Sequence, residues 1–382
     1  MSGIAESTAS AVVDLDAYIG NIQRLRSHVG ETPTMVVVKA DAYGHGLLPC
    51  ARAAQRAGAD WLGVATPNEA MALREAGVEG RLLCWLYGPD ESLTPVVERG
   101  VDVGVHRHDQ LSMIMAAAAT TGRRARVHLK IDTGLFRNGS PLAAFGQLCA
   151  AARSAEESGA VQVIGVWSHF AAADEPGHPS IDRQLDAFEQ ALDIAAEHGL
   201  RPTVRHLANS AAALTLPQAH FDLVRLGIAA YGVEPAPGLA VRAGVNLEPV
   251  MTLRAQLAAV KQVPAGSAVS YGHTWTADRD TCVGLVPLGY ADGIPRIAGN
   301  RAEVQVGDRR APIRGRVCMD QFVVDLGPGA TDRPGDEVII FGSADRGPVA
   351  EDLAAACDTI GYEIVTRIGS RVPRSYLPGG AG

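Results

Sequence analysis

Between residues 35 and 230 the chain alternates short β-branched and aliphatic runs with longer Ala/Leu/Glu-rich stretches, the texture of repeated strand–helix units around a parallel sheet. Eight apolar runs mark the strands: Met35–Lys39, Trp61–Ala65, Arg81–Leu86, Val101–Val105, Arg126–Ile131, Val161–Trp167, Thr203–Leu207 and Asp222–Ile228. Helix starts carry recognisable chemistry. Thr66-Pro67-Asn68-Glu69 reads as a capping box with proline at the first helical position, and Ser140-Pro141 as a second cap followed by proline. Gly58 and Gly77 suit helix ends. Eight strands with helices between them in about 200 residues predict an α/β fold, an N-terminal (β/α)8 TIM barrel; the same count also allows an open doubly wound sheet.

After Pro235 the pattern changes. Met251–Val260, Thr281–Pro287, Glu303–Val306 and Phe322–Leu326 are short strand-like runs parted by Pro/Gly/Asp turns, with one helix expected near Glu351–Ile360. The chain is expected to divide into a disordered tail at 1–10, a cofactor-binding barrel at 11–240 and a mostly β C-terminal domain at 241–382.

Composition narrows the function. At 382 residues and 47% hydrophobic, the chain has room for more than one core. Its 34 Lys and Arg against 42 Asp and Glu give a net charge of −8, which lacks the concentrated positive surface that nucleic acid or an anionic membrane requires. A small-molecule substrate is expected instead. The cysteines at 50, 84, 149, 282, 318 and 357 form no CxxC and no Cys/His cluster, so no metal site and no disulfide framework is expected, and the compartment reads as a reducing cytoplasm. No run approaches the roughly 20 apolar residues of a membrane helix, and Met1–Ser10 has no apolar core, so neither a membrane segment nor processing is expected.

In a barrel, reactive groups belong on the rim where the strands end. Lys39 ends the first run, just before Ala40-Asp41-Ala42-Tyr43-Gly44-His45-Gly46. A primary amine there is a candidate for imine formation with an aldehyde, and the plainer reading is a lysine reaching into solvent. Lys130 lies in the fifth run, followed by Asp132-Thr133-Gly134-Leu135-Phe136-Arg137; Ser168-His169 close the sixth; His206-Leu207-Ala208-Asn209-Ser210 close the seventh; Arg225-Leu226-Gly227-Ile228 lie in the eighth. Any one strand-end histidine is more readily a hydrogen-bonded structural residue. Five such positions on one rim are harder to assign to chance.

Motifs recur over almost the whole chain: VVKADAYGHG at 37–46, HLKIDTG at 128–134, SHFAAADE at 168–175, HLANS at 206–210, VSYGHTW at 269–275, GYADGIPR at 289–296 and GRVCMDQF at 315–322. In combination they resemble the alanine racemase family, fold-type III pyridoxal 5'-phosphate enzymes with an N-terminal barrel and a C-terminal β domain. The resemblance implies that Lys39 holds pyridoxal 5'-phosphate covalently as an aldimine. Tyr43, Tyr362 and Ser210, with Asn209 beside them and the amides of Gly227 and Ile228, would hold the phosphate, and His169 would pack on the ring. Arg225, supported by His206, would face the ring nitrogen. A guanidinium keeps its proton, so the ring is a weaker electron sink, which favours racemisation over decarboxylation.

The same resemblance makes Lys39 and Tyr271 the two proton-transfer groups on opposite faces of the substrate. Arg137, Met319 and Tyr271 would surround the substrate. Lys130 would be carboxylated by CO2 and would fix Arg137; an unmodified partner of Asp132 is the other reading. Tyr290 and Asp292, with Arg296, would line the entrance, although a structural turn explains 289–296 nearly as well. Tyr271 and Met319 are expected to complete the site of the other subunit in a homodimer that interconverts L- and D-alanine. A broad-specificity amino-acid or serine racemase is the alternative on the same fold. A non-catalytic pyridoxal-phosphate carrier would need only the barrel, and a Schiff-base aldolase would need neither Arg225 nor the phosphate residues. Three positions depart from the family pattern: Phe136, where glycine or asparagine is common, Leu226, where proline is frequent, and Trp275, often Phe or Tyr.

Overall fold

The computed structural model describes residues 8–378 of the chain. Its first strand, β1 (Ala9–Asp14), stays out of the barrel and joins the second sheet below. All eight apolar runs form strands: β2 (Thr34–Val37), β3 (Trp61–Val64), β4 (Arg81–Cys84), β5 (Asp102–Val105), β6 (Ala125–Asp132), then, after the two-residue β7 (Ser140–Pro141), β8 (Val161–Trp167), β9 (Val204–His206) and β10 (Val224–Leu226). They run parallel in the order β10-β2-β3-β4-β5-β6-β8-β9. The sheet curls into a nearly closed barrel. At the seam, Asp222 N donates to Arg205 O at 3.0 Å and Arg225 N to Ala208 O at 3.0 Å. Every residue of β2, β3 and β5 is buried, as strands must be when side chains fill one face and helices cover the other.

The capping box forms as read, with Thr66 Oγ1 accepting from Glu69 N at 3.3 Å and Glu69 Oε2 accepting from Thr66 N at 3.1 Å. Ser140 does not cap a helix. It lies in β7, which pairs with the end of β6, and the following helix starts at Leu142 without a side-chain cap. Gly139 explains the difference, because a Cβ there would sit 2.5 Å from Asp132 N; the bare glycine lets the chain lie against β6 and pair with it.

The second unit is a sheet built from β11 (Met251–Gln256), β12 (Ala259–Val263), β15 (Thr281–Val286), β16 (Glu303–Val306), β17 (Arg309–Arg314), β18 (Phe322–Gly327), β19 (Glu337–Phe341) and β20 (Arg374–Leu377), with β13 (Ala268–Val269) and β14 (Trp275–Thr276) as a separate pair. β1 lies between β11, antiparallel, and β20, parallel. The strand thus crosses the boundary expected at residue 10, and residues 1–7 of the expected tail fall outside the described residues. Its inward positions are Ala9, Ala11 and Val13, so its apolar signal is weak and its place comes from pairing on both edges. The late helix is two helices, Ala350–Ala356 and Gly361–Thr366, parted near Asp358, whose φ is +55°. No helix among the described residues is long and apolar enough to cross a membrane.

Candidate active site

Beyond β2 the backbone does something the sequence gives little hint of. Ala40, Asp41, Ala42 and Tyr43 have φ of 54, 53, 54 and 53°, a left-handed turn of non-glycine residues. Each such residue costs roughly 1–2 kcal/mol, so the turn persists only because its surroundings hold it. Ala40 N donates to Glu69 Oε1 at 2.6 Å, Leu47 N to Asp41 Oδ1 at 2.7 Å, Gly46 N to Asp41 O at 2.9 Å and Arg374 Nε to Gly44 O at 3.0 Å. The turn brings Lys39 and Tyr43 to one cavity. Gly44 has φ of +81°, and a Cβ there would lie 2.4 Å from Val365 O, so glycine lets the helix Gly361–Thr366 close on the barrel and deliver Tyr362.

The cavity has a volume of about 270 Å³. Every barrel residue expected at the site lines it except His206, which lies behind Arg225. Tyr362 enters from the second unit. Val37, Trp85 and Trp167 also line it and were not anticipated.

Four cations converge here: Lys39, Lys130, Arg137 and Arg225. Arg225 is 4% exposed. Its Nη2 donates to Ser168 O at 2.9 Å, Leu207 O at 3.1 Å and His169 Nδ1 at 3.0 Å, and its Nη1 to His206 O at 3.1 Å and His206 Nδ1 at 3.3 Å. Burial lowers its pKa to about 9, so it remains a cation at neutral pH. Burial, then Arg225 and Arg137, bring the Lys130 amine down to about 7. Lys39 is lowered by burial and then by Arg137, with Glu69 opposing. Burial and Arg225 push His169 well below its usual value, so its ring is a neutral acceptor. Burial raises the Tyr43 and Tyr362 phenols, which keep their protons as donors.

At one end of the cavity the surface suits an anion. Ser210 Oγ accepts from Gly227 N at 2.8 Å, and a Cβ on Gly227 would approach the Tyr43 hydroxyl to 2.7 Å, so this cradle exists only with glycine there. Asn209 spends its Oδ1 on Ala212 N at 3.0 Å, starting the helix Ser210–Thr215. At the other end Arg137 is exposed and forms no ion pair among the described residues.

Lys130 also lacks a carboxylate partner among the described residues, its Nζ lying 4.4 Å from the Trp167 ring. Asp132 is otherwise engaged, since its Oδ1 accepts from the amides of Gly134, Leu135 and Phe136 at 2.9, 3.1 and 3.1 Å. The Trp167 Nε1–H, on the same wall, is buried without an acceptor. An acidic group on Lys130 fits such surroundings.

Tyr271 and Met319 are not part of this chain's own cavity; they stand 73% and 53% exposed on the second unit. Ser270, at φ +63°, donates its hydroxyl to Arg316 O at 2.7 Å and sets the loop that presents Tyr271. Tyr290 is 41% exposed, and Arg296 is exposed at the start of a short 3-10 turn. Asp292 is buried, its Oδ2 accepting from Gly289 N at 2.8 Å and its Oδ1 lying 3.2 Å from Arg371 Nε, which is the structural turn in geometric form.

Two supporting residues had no assigned part. Glu69 was legible as a cap, yet it also holds the Ala40 amide beside Lys39. Gln184, inside a long helix with no motif around it, donates to His169 O at 3.0 Å and Thr133 Oγ1 at 2.9 Å and accepts from Ala171 N at 2.8 Å.

Comparison with known proteins adds to this geometry. The family model described as alanine racemase, N-terminal domain, matches residues 13–235, and that described as alanine racemase, C-terminal domain, matches 250–376. The chain is 55% identical over 375 residues to an alanine racemase of Streptomyces coelicolor, covering 97% of this chain and 96% of that one. It is 53% identical over 368 residues to that of Frankia casuarinae, covering 96% of each. The solved alanine racemase from Streptomyces lavendulae superposes with a TM-score of 0.95 at 54% identity, covering 97% of both chains. That from Bacillus anthracis, solved with bound L-Ala-P, has a TM-score of 0.90 at 32% identity, covering 99% of this chain and 97% of that one.

Proposed function

The chain belongs to the alanine racemase family, and from that premise we propose a role for each residue of the cavity in interconverting L- and D-alanine. The activity is that of an isomerase, and the family depends on pyridoxal 5'-phosphate and is dimeric. When bound, the cofactor acidifies the substrate's Cα–H by drawing electrons into its ring.

Lys39 is the amine that captures the cofactor's aldehyde; its lowered pKa supports this, because the free base is the nucleophile. Tyr43, Tyr362 and Ser210, with the amides at Gly227 and Ile228, hold the phosphate. Arg225 faces the ring nitrogen and, still a cation at neutral pH, donates a hydrogen bond toward it. Arg137, exposed and without an ion pair among the described residues, takes the substrate carboxylate.

As a free amine, Lys39 would move the Cα proton on one face. Tyr271 of the partner subunit serves the other face, with Met319 of the partner subunit beside it. The exposure of both residues, away from their own chain's cavity, supports that reading. Lys130 is carboxylated. Its amine lone pair attacks the carbon of CO2, an N–C bond forms as one C=O pair moves onto oxygen, and the amine proton leaves to solvent. The pKa near 7 provides the neutral amine for that step, and the unpaired Trp167 donor suits the product. Tyr290 and Asp292 serve the entrance, the buried Asp292 by fixing the turn that carries the exposed Tyr290, and the cytoplasm is the place of work.

The observation that carries the assignment is the Lys39 amine in one buried cavity with the glycine-dependent anion cradle. Protein supplied with pyridoxal 5'-phosphate should convert L-alanine into a substrate for D-amino-acid oxidase, and Lys39→Ala should lose both that turnover and the bound cofactor's absorbance. A Lys39→Ala protein that retains the absorbance removes the anchor.

A further inference from the structure

Inside the barrel, below the cavity floor, runs a line of buried side chains that the reaction above does not use. Asp102 in β5, His128 in β6 and His206 in β9 are each 0% exposed. Asp102 Oδ2 lies 3.3 Å from His128 Nε2, His128 Nδ1 lies 2.9 Å from His206 Nε2, and His206 Nδ1 lies 3.3 Å from Arg225 Nη1. The line is built in. Trp167 stacks on His206 at 2° between planes and Trp61 meets His128 edge-on, while a Cβ on Gly165 would fall 2.4 Å from His128 Nδ1. At its far end Asp102 Oδ1 takes Arg126 Nε at 2.5 Å, and Arg81 stands 3.7 Å from Oδ2.

Only one proton arrangement satisfies this line. A guanidinium can only donate, so His206 Nδ1 must accept, which puts its proton on Nε2. That N–H points at His128 Nδ1, which must therefore accept in turn. The His128 proton then sits on Nε2 and goes to Asp102. A proton on His128 Nδ1 would face the His206 N–H, donor against donor, and a proton on His206 Nδ1 would face Arg225 in the same way. The line also ends on a carboxylate, which matters because the other acceptors of Arg225 are three backbone carbonyls and the His169 ring.

We propose that Asp102 and His128 are positioning residues for Arg225: they lock His206 as the Nε2–H tautomer, so that its Nδ1 accepts from the guanidinium and holds it aimed at the cavity. This rests on the reading that Arg225 faces the cofactor ring. Without His128, His206 is free to turn its donor toward Arg225, and the guanidinium loses its aim while still bound to the carbonyls.

The test uses cofactor-loaded protein labelled with 15N at histidine. Long-range nitrogen–proton spectra should show His128 and His206 both protonated at Nε2 and bare at Nδ1. In His128→Phe the His206 signal should spread over both tautomers, and kcat should fall about 10–100-fold with KM for alanine unchanged, the scale seen when a supporting partner of a reactive group is removed. Wild-type protein with His206 protonated at Nδ1, or with His128 protonated at both nitrogens, overturns the proposal whatever the variant does. So does a His128→Phe protein that loses only thermal stability while His206 keeps one tautomer and kcat holds. If wild-type protein has the expected tautomers yet does not racemise alanine, the network stands and the functional reading fails.

Discussion

Glu69 sits where two structural demands meet, and separating them tests how the Lys39 segment is held. Its carboxylate accepts from Ala40 N at 2.6 Å, Ala65 N at 2.9 Å and Thr66 N at 3.1 Å. Glu69→Ala leaves all three amides without that acceptor. At about 1 kcal/mol each, the usual net worth of a hydrogen bond, taken here because the site is partly exposed to solvent, the loss is about 3 kcal/mol. Thr66→Ala removes only the helix cap, at about 1 kcal/mol. With a little over about 1 °C lost per kcal/mol in a chain of this size, cofactor-free protein should melt about 4 °C lower for Glu69→Ala and about 1 °C lower for Thr66→Ala.

The two should differ more in cofactor capture. The Ala40 bond secures the first residue of a left-handed turn that costs about 4 kcal/mol at the low end of the range for four residues. If releasing it leaves the opened turn favoured by about 1.4 kcal/mol, the capture-competent fraction falls to about a tenth and the apparent Kd for pyridoxal 5'-phosphate rises about tenfold. Titration followed by absorbance measures it. Thr66→Ala should leave that Kd alone. Equal weakening in both variants, or none in either, would mean that Glu69 serves the helix only and that the turn is held by other contacts.

Tyr271→Phe should slow loss of the Cα proton from L-alanine far more than from D-alanine, read by deuterium exchange in separate single-enantiomer reactions; equal slowing ends its one-face role. Gly227→Ala should fold normally yet bind pyridoxal 5'-phosphate about tenfold more weakly, because the added methyl meets the Tyr43 hydroxyl at 2.7 Å, and an unchanged Kd would show the cradle is not used. Lys130, lowered from 10.5 to about 7, releases its proton on folding, so the unfolded chain binds more protons between those values and stability rises with pH across that window. The burial penalty is full below pH 7 and gone above 10.5; in CO2-free buffer Lys130→Met should flatten the rise in melting temperature, and an unaltered slope would assign it to other groups.

The barrel was legible because its strands are buried on both faces and so read as unbroken apolar runs, and the rim chemistry followed from where those runs end. What escaped depends on contacts between distant segments. The Ala40–Tyr43 stretch has ordinary helix-forming composition, and only Gly44 and Gly46 hint that the backbone turns the wrong way; the reason for the turn is Glu69, Asp41 and Arg374 acting together. β1 carries alanines where a confident strand would carry valines, and its position needs both β11 and β20. Ser140 looked like a cap because serine before proline commonly is one, and the close approach at Gly139 diverts it into a strand. His128 lay in plain view inside a recognised motif, but its bond to His206 arises only once β6 and β9 curve round one interior.

The charge pattern links these parts. The chain as a whole carries −8, yet this cavity gathers two lysines and two arginines with no carboxylate paired to Lys130, Arg137 or Arg225 among the described residues. Burying like charges together is costly; the two lysines move toward neutrality, and Arg225, lowered to about 9, keeps its charge at neutral pH. Such a site is stabilised by whatever brings negative charge to it. A phosphate at the Gly227 cradle, a carboxylate at Arg137 and a carboxylated Lys130 would each supply some at a different wall. On the proposed reading Arg225 would face the ring between them, and it is the cation that the barrel holds from behind, through His206 and His128. External anions would answer three of the walls, while the Arg225 guanidinium is held from behind by a hydrogen-bonded line that ends on Asp102, itself paired with Arg126.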